Sequence, residues 1–265
     1  LHRSLVRPSR YDVLGDRITA ALARRIDASR SGMIETYPGV TFPVDTASTV
    51  GSIGLSDRAS GQDHHASIAK YSAAVRARFL VDGLLVQIAA PDGEAWDRAR
   101  GSGTALAAYF LSFADLDLSR ELWKGARAKL YDEVLGFGAV REYAPGATGA
   151  GDIDSGPIVL GFGVSASGFA MAPARIHGDR AAYAGLFATV HLFGAPYDDG
   201  KTYTHVTGGP LGDAIMLAMM TAAPAPRCPT GARPAPPFSW PSRRPAVPLR
   251  HTSWRMPATS VRDGV

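Results

Sequence analysis

Hydrophobic positions along the first 222 residues recur in two alternating styles. The segments TASTVGSIGL, GTALAAYFLSF, GPIVLGFGVSASGFAMA and GPLGDAIMLAMM are apolar or small on every side, the pattern of a helix enclosed by protein. Between them, HHASIAKYSAAVRARFL, SRELWKGARAKLYDEVL and DRAAYAGLFATVHLFG carry their charges on one face only, which predicts helices wet on one side. The stretch Tyr11 to Ala28 has the same half-exposed pattern.

Each enclosed helix is preceded by an extended run and a loop rich in Gly, Pro and Asp. The runs are Met33 to Pro38, Leu84 to Ala90, Ala139 to Pro145 and Lys201 to Thr207. The inner helices are predicted to begin near Asp45, Gly103, Gly156 and Gly209, spaced by 58, 53 and 53 residues. Alternating enclosed and half-exposed helices at this period predict an all-α fold, an α/α toroid of helical hairpins with short β-like segments in its loops. A solenoid is the competitor, but its repeats run to about 34–47 residues and lack a long loop before each inner helix. Four hairpins, two of them partial, are fewer than a closed ring needs. An inner partner for the first helix is therefore expected before residue 1, and self-association is expected of an incomplete ring.

Composition modifies this picture in two places. The formal charge of +4 comes from the C-terminal segment: residues 223–265 hold seven Arg against one acid, so residues 1–222 are slightly acidic and no nucleic-acid partner is expected. The same segment holds ten of the nineteen prolines and has no helical or strand period, so it reads as a Pro/Arg-rich disordered tail after a toroid domain of residues 1–222. The tail stands where the remaining hairpins should be, as a shifted reading frame would leave it. A lone Cys228 excludes an intramolecular disulfide and a Cys-based zinc site. The apolar run Ile158 to Pro173 is shorter than the ~20 residues that span a bilayer and reads as a buried helix, so no transmembrane segment is predicted.

In a ring of hairpins the loops leading into the inner helices converge at one end, and their polar residues are the candidates. Loop one offers Glu35, Tyr37 and Asp45; loop two Asp97, Arg98 and Arg100; loop three Glu142, Tyr143, Asp152 and Asp154; loop four His205 and Thr207. Paired carboxylates can protonate a leaving oxygen while activating water, since burial holds one protonated and the other stays ionised. Asp152, Asp45 and Asp154 are the catalytic candidates, with Glu35, Tyr37, Glu142, Tyr143, His205 and Arg100 as substrate-binding ones. Each has a structural alternative. Asp45 and Asp154 precede apolar helices, and Asp154-Ser155-Gly156-Pro157 reads as an N-cap with Pro in the first turn. Glu35 and Glu142 stand beside a Tyr and a Pro in matching runs, which suits a sugar cleft or a packing detail used twice. Arg98 and Arg100 also suit a solvated surface pair. No metal or cofactor site is predicted, because Asp152 to Gly156 lacks the Glu that closes a calcium loop.

The strings TYPGVTFPVDTASTVGSIGLSDR and GDIDSGPIVLGFGVSASGFAMAPARIHGD, set in this repeat, resemble the α/α-toroid superfamily of six-hairpin glycosidases and linalool dehydratase/isomerase-like proteins. The resemblance covers the layout of residues 11 to 222. It implies a cleft at the loops leading into the inner helices and, in the glycosidase members, an acidic pair there, a role that falls here to Asp45 with Asp152 or Asp154. The linalool enzymes use cysteines, and this chain has none before residue 228. The expectation is thus a carbohydrate-active hydrolase or lyase acting on a small molecule or oligosaccharide. The alternatives are a hydro-lyase or isomerase of an apolar alcohol, and a non-catalytic helical-repeat binding module or inactive fragment.

Overall fold

In the computed structural model, residues 9–152 and 155–224 are described. The tail beyond residue 224, Cys228 and Asp154 lie outside them. Among the described residues the fold is mostly helical: α1 (Asp12–Ala28), α2 (Pro43–Ser60), α3 (His65–Ala74), α4 (Gly101–Leu111), α5 (Leu116–Lys129), α6 (Val164–Ile176), α7 (Arg180–Phe193) and α8 (Gly209–Thr221). A π-helical turn, Val75–Phe79, extends α3.

The helices form two layers in the order that the hydrophobic patterns predict. In the inner layer α2 packs on α4, α4 on α6 and α6 on α8. In the outer layer α1 covers α2 and touches α3, while α5 and α7 lie on α4 and α6. The first core cluster joins Ile26, Val50, Ile53, Tyr71, Phe79, Leu111, Leu118 and Leu122. The second joins Trp123, Leu130, Val140, Met171, Leu186, Met216 and Met219. The fully enclosed Tyr71 donates its hydroxyl to the carbonyl of Pro43, 3.2 Å away, and burial pushes that phenol far above its usual range.

Four two-stranded antiparallel hairpins punctuate the layers: β1–β2 (Leu80–Val81 with Leu84–Leu85), β3–β4 (Tyr131–Val134 with Phe137–Val140), β5–β6 (Ile158–Val159 with Phe162–Gly163) and β7–β8 (Pro196–Asp198 with Tyr203–His205). The first three turn through two residues with positive φ, Asp82-Gly83, Leu135-Gly136 and Leu160-Gly161. That backbone matches the right-handed twist of the strands. Glycine takes it freely, whereas leucine does so at a cost.

The hairpin at β5–β6 corrects one expectation. Ile158 to Pro173 is not one buried helix, because Leu160-Gly161 turns the chain back and α6 begins only at Val164, capped by Gly163 rather than by Asp154. Inner helices accordingly start at Pro43, Gly101, Val164 and Gly209, so the repeat is less even than the run-to-run spacing predicts. No helix among the described residues is long and apolar enough to cross a membrane.

A shared device fixes each extended run to its inner helix. About one turn into α2, α4 and α6 a hydroxyl accepts a backbone N–H from the preceding run: Ile34 to Thr46 (3.2 Å), Leu85 to Thr104 (2.9 Å) and Val140 to Ser167 (3.0 Å). In the fourth repeat Asp213 takes this place and accepts from His205 N at 2.7 Å. These four bonds fix each run in register with its own inner helix.

Candidate functional site

The loops leading into the inner helices lie side by side. Loop one joins loop two through reciprocal backbone bonds of 2.9 Å between Thr41 and Ala89. Loop two joins loop three through Gly101 N, which donates to the Glu142 carbonyl at 2.8 Å. Arg98 Nη1 also reaches the Thr148 carbonyl at 3.4 Å.

A cluster of polar side chains sits at this second junction. Arg100, in the residue before α4, donates Nη2 to Asp97 Oδ2 and Nη1 to Asp152 Oδ2, both at 2.6 Å, and its guanidinium lies 5.5 Å from the centre of the Tyr143 ring. With its side chain only 11% exposed, Arg100 is no solvated surface residue. Its Nε is enclosed with no hydrogen-bond partner. Burial is the largest single influence on its pKa and lowers it, but the hydrogen bond and charge of Asp97, with the charges of Tyr143 and Asp152, together outweigh it and leave the pKa raised.

Glu142 is fully enclosed. Its Oε1 accepts from the Ser102 hydroxyl at 2.6 Å and its Oε2 from Ser102 N at 3.2 Å, so a carboxylate from loop three caps the first turn of the neighbouring inner helix. Glycine at 163 makes room, since a Cβ there would stand 2.6 Å from Glu142 Oε2. Burial pushes the Glu142 pKa above the carboxylate range, opposed by the two Ser102 bonds and by Arg100. Tyr143 is buried too and donates its hydroxyl to the Ala150 carbonyl at 2.9 Å. Burial is likewise the first cause of its raised pKa.

Of the residues singled out from sequence, the structure brings together Arg100, Glu142, Tyr143 and Asp152. Asp152 is partly exposed at its side chain. Besides holding Arg100, its Oδ1 accepts from Ser155 N at 2.7 Å, and its own N–H donates to Ser155 Oγ at 2.8 Å. Glu35 belongs to loop one and accepts from Gly39 N at 3.1 Å across its own turn. Tyr37 is 63% exposed and meets Phe42 edge-on. Asp45 is exposed inside the first turn of α2, whose N-cap is Phe42; a negative charge there favours the helix dipole. His205, in loop four, is buried with Nδ1 3.1 Å from Asp213 Oδ1.

Two expectations change accordingly. Glu142, Tyr143 and His205 do not line an open cleft, because each is enclosed and bonded within the fold. Glu35 and Glu142 are not matching residues: the register bonds place Glu35 one position after its anchor, Ile34, and Glu142 two after its anchor, Val140. In an extended run one residue turns a side chain to the opposite face, and Glu142 instead matches Thr36, Gln87 and Thr207. Sequence reading missed Ser102, whose hydroxyl holds Glu142, and Gln87, whose Oε1 is enclosed without a partner.

Two surface depressions lie elsewhere. One of about 550 Å³ is bordered by Arg25, Arg30, Glu35 and Asp92. The other, about 440 Å³, is bordered by Arg120, Lys124, Arg127 and His177. Among the described residues no cluster of three or more His, Cys, Asp or Glu is arranged to hold a metal ion. The sequence matches no model of a known protein family and no curated protein.

Proposed function

We propose that the chain is an arc of an α/α toroid acting as a carboxylate-based acid/base enzyme on a carbohydrate, as a hydrolase or lyase, with its reactive end at the junction of loops two and three. The toroid reading is supported by the order α2, α4, α6, α8 in the inner layer and by the lateral bonding of the loops before them. One observation carries the chemistry: Arg100 serves two carboxyl groups in opposed environments, ion-paired with Asp152 at 2.6 Å and opposing the burial that raises the Glu142 pKa. Glu142 is dry, with a raised pKa, and Asp152 is half-open in an ion pair. Carboxyl groups held apart in this way divide into a proton holder and a carboxylate. The sequence alone makes Asp152 the general acid with Asp45 as its partner; here the proton falls to Glu142, because an aspartate clamped by Arg100 accepts hydrogen bonds rather than giving up a proton. Asp45 stays exposed in the first turn of α2.

The test is turnover of neutral and acidic oligosaccharides by the full chain, read as new reducing ends for a hydrolase and as ultraviolet absorbance of an unsaturated product for a lyase. Glu142→Gln and Asp152→Asn should each lower kcat by about 100-fold or more while far-UV circular dichroism stays unchanged. A folded protein that turns over none of these substrates removes the enzyme reading. It would favour a second one, a helical-repeat binding module, which is supported by the internal bonding of Glu142, Tyr143 and His205 and by the two depressions lying away from this junction.

A further inference from the structure

Positive charge collects on one stripe of an outer helix, away from the loops that lead into the inner helices. Arg120, Lys124 and Arg127 follow one another along α5 at helical spacing, so they share a face. With His177 and Asp179, from the turn between α6 and α7, they border the depression of about 440 Å³. Trp123, which also borders it, is only 3% exposed. The acids of α5 leave this face under-neutralised. Glu121 ion-pairs with Arg76 at 2.9 Å. Asp117 pairs with Arg120 at 2.7 Å, but its side chain is 85% exposed, and so open a pair contributes little. Asp179 caps α7 through Ala182 N and accepts from Arg127 Nε at 3.2 Å. The Arg127 guanidinium also lies 4.1 Å from the centre of the Tyr131 ring, which fixes it, while its two Nη groups make no hydrogen bond among the described residues. Lys124 is exposed, with neither an ion pair nor a hydrogen bond among the described residues. The bordering side chains thus set three positive charges against one negative.

His177 adds an acceptor to these donors. Ser119 gives its one hydroxyl proton to the Ala108 carbonyl at 2.6 Å, so the 2.8 Å bond to His177 runs from the ring Nε2–H to Ser119 Oγ. Burial, with Arg120 adding, keeps the ring neutral near pH 7, and Nδ1 retains its lone pair.

We propose that this depression binds a phosphate monoester, held by Arg120, Lys124 and Arg127, a property separate from the reading of the acidic cluster. Charge selects the ligand. A monoester carries about 1.5 to 2 negative charges at neutral pH, which matches the excess on the border, whereas a carboxylate or a sulfate ester carries one. The arginine fork suits the oxygens of a phosphate. The volume falls within the ~300–1,000 Å³ of small-molecule sites.

The test is isothermal titration calorimetry of the full chain at low salt and neutral pH, with inorganic phosphate and with glycerol 3-phosphate as probes. A Kd of about 1 mM or tighter is expected. Arg120→Gln with Lys124→Gln, both at exposed or half-buried sites, should weaken binding by about tenfold or more. Arg17→Gln, which removes an exposed charge on α1, should change it less than about twofold, because screening reaches only ~10 Å. The His177 ring resonances should move in NMR spectra as phosphate is added, and those of His64 should stay. Preference for phosphatidic acid vesicles over phosphatidylserine ones would make the source a lipid headgroup, and binding of glycerol 3-phosphate without vesicle binding a free monoester; either supports the site. Absence of both heat and a His177 shift at about tenfold above that Kd, or binding that the double variant leaves unchanged, would overturn the proposal.

Discussion

Loops one and three each place a glutamate beside a tyrosine and a proline, and the fold uses them in opposite ways. Glu35 is exposed and closes only its own turn through Gly39 N. Glu142 is enclosed and ties loop three to the neighbouring α4 through both Ser102 groups. The difference comes from one residue of register relative to Ile34 and Val140, which turns one side chain out and the other in. A local motif thus says little about burial until the hydrogen bond that sets its register is known.

The largest effect should come from Glu142→Ala. It leaves the Ser102 hydroxyl and N–H without partners in a dry site, which should cost about 3 kcal/mol in a urea unfolding titration. Glu35→Ala should stay within about 0.5 kcal/mol, as exposed substitutions do; equal losses would erase the contrast. Next comes the register bond itself. Thr104→Val keeps the shape but leaves Leu85 N unpaired, at an expected cost of about 1–2 kcal/mol, and a neutral result would show that strand pairing alone holds the run.

His177 sharpens the comparison from the other end of the inner helices. Its Nε2 is 2.8 Å from Ser119 Oγ, and burial, with Arg120 adding, lowers its pKa from 6.5 to about 4. The unfolded chain binds a proton between those values while the folded chain does not, so stability contributed here is present above pH 6.5 and is lost as pH falls towards 4. Glu142 has the opposite sign. Its raised folded pKa lets the folded state keep a proton that the unfolded state has released, so stability falls as pH rises through the window above the ordinary carboxylate value. Thermal melts of His177→Asn and Glu142→Gln against wild type should separate the two slopes. The smallest effect is at Leu135, whose φ of +53° suits asparagine better. Leu135→Asn should raise stability by about 0.5–1 kcal/mol by the same urea measurement.

Helix type was legible in the chain because enclosure and half-exposure leave different periodic marks, as GTALAAYFLSF and SRELWKGARAK show, but the expected continuation of the second helix through YDEVL is instead strand β3 from Tyr131. The start of α6 was not legible, since the apolar run from Ile158 has no period of its own and the turn at Leu160-Gly161 lacks the Asn or Asp that signals such hairpins. Asp82-Gly83 did carry that signal. Within the site, Arg100 and Asp152 were visible as loop charges, but their ion pair spans 52 residues. The register bonds are equally hidden, with donor and acceptor lying 12, 19, 27 and 8 residues apart in the four repeats.

The most direct measurement is the titration of the Glu142 side-chain carboxyl by carbon-13 NMR. A midpoint above the ordinary glutamate value of about 4.3 is the predicted result, and it would show the enclosed carboxyl of loop three holding a proton. A midpoint at or below that value would mean that the bonds to Ser102 and the charge of Arg100 outweigh burial, contradicting the division of roles between Glu142 and Asp152.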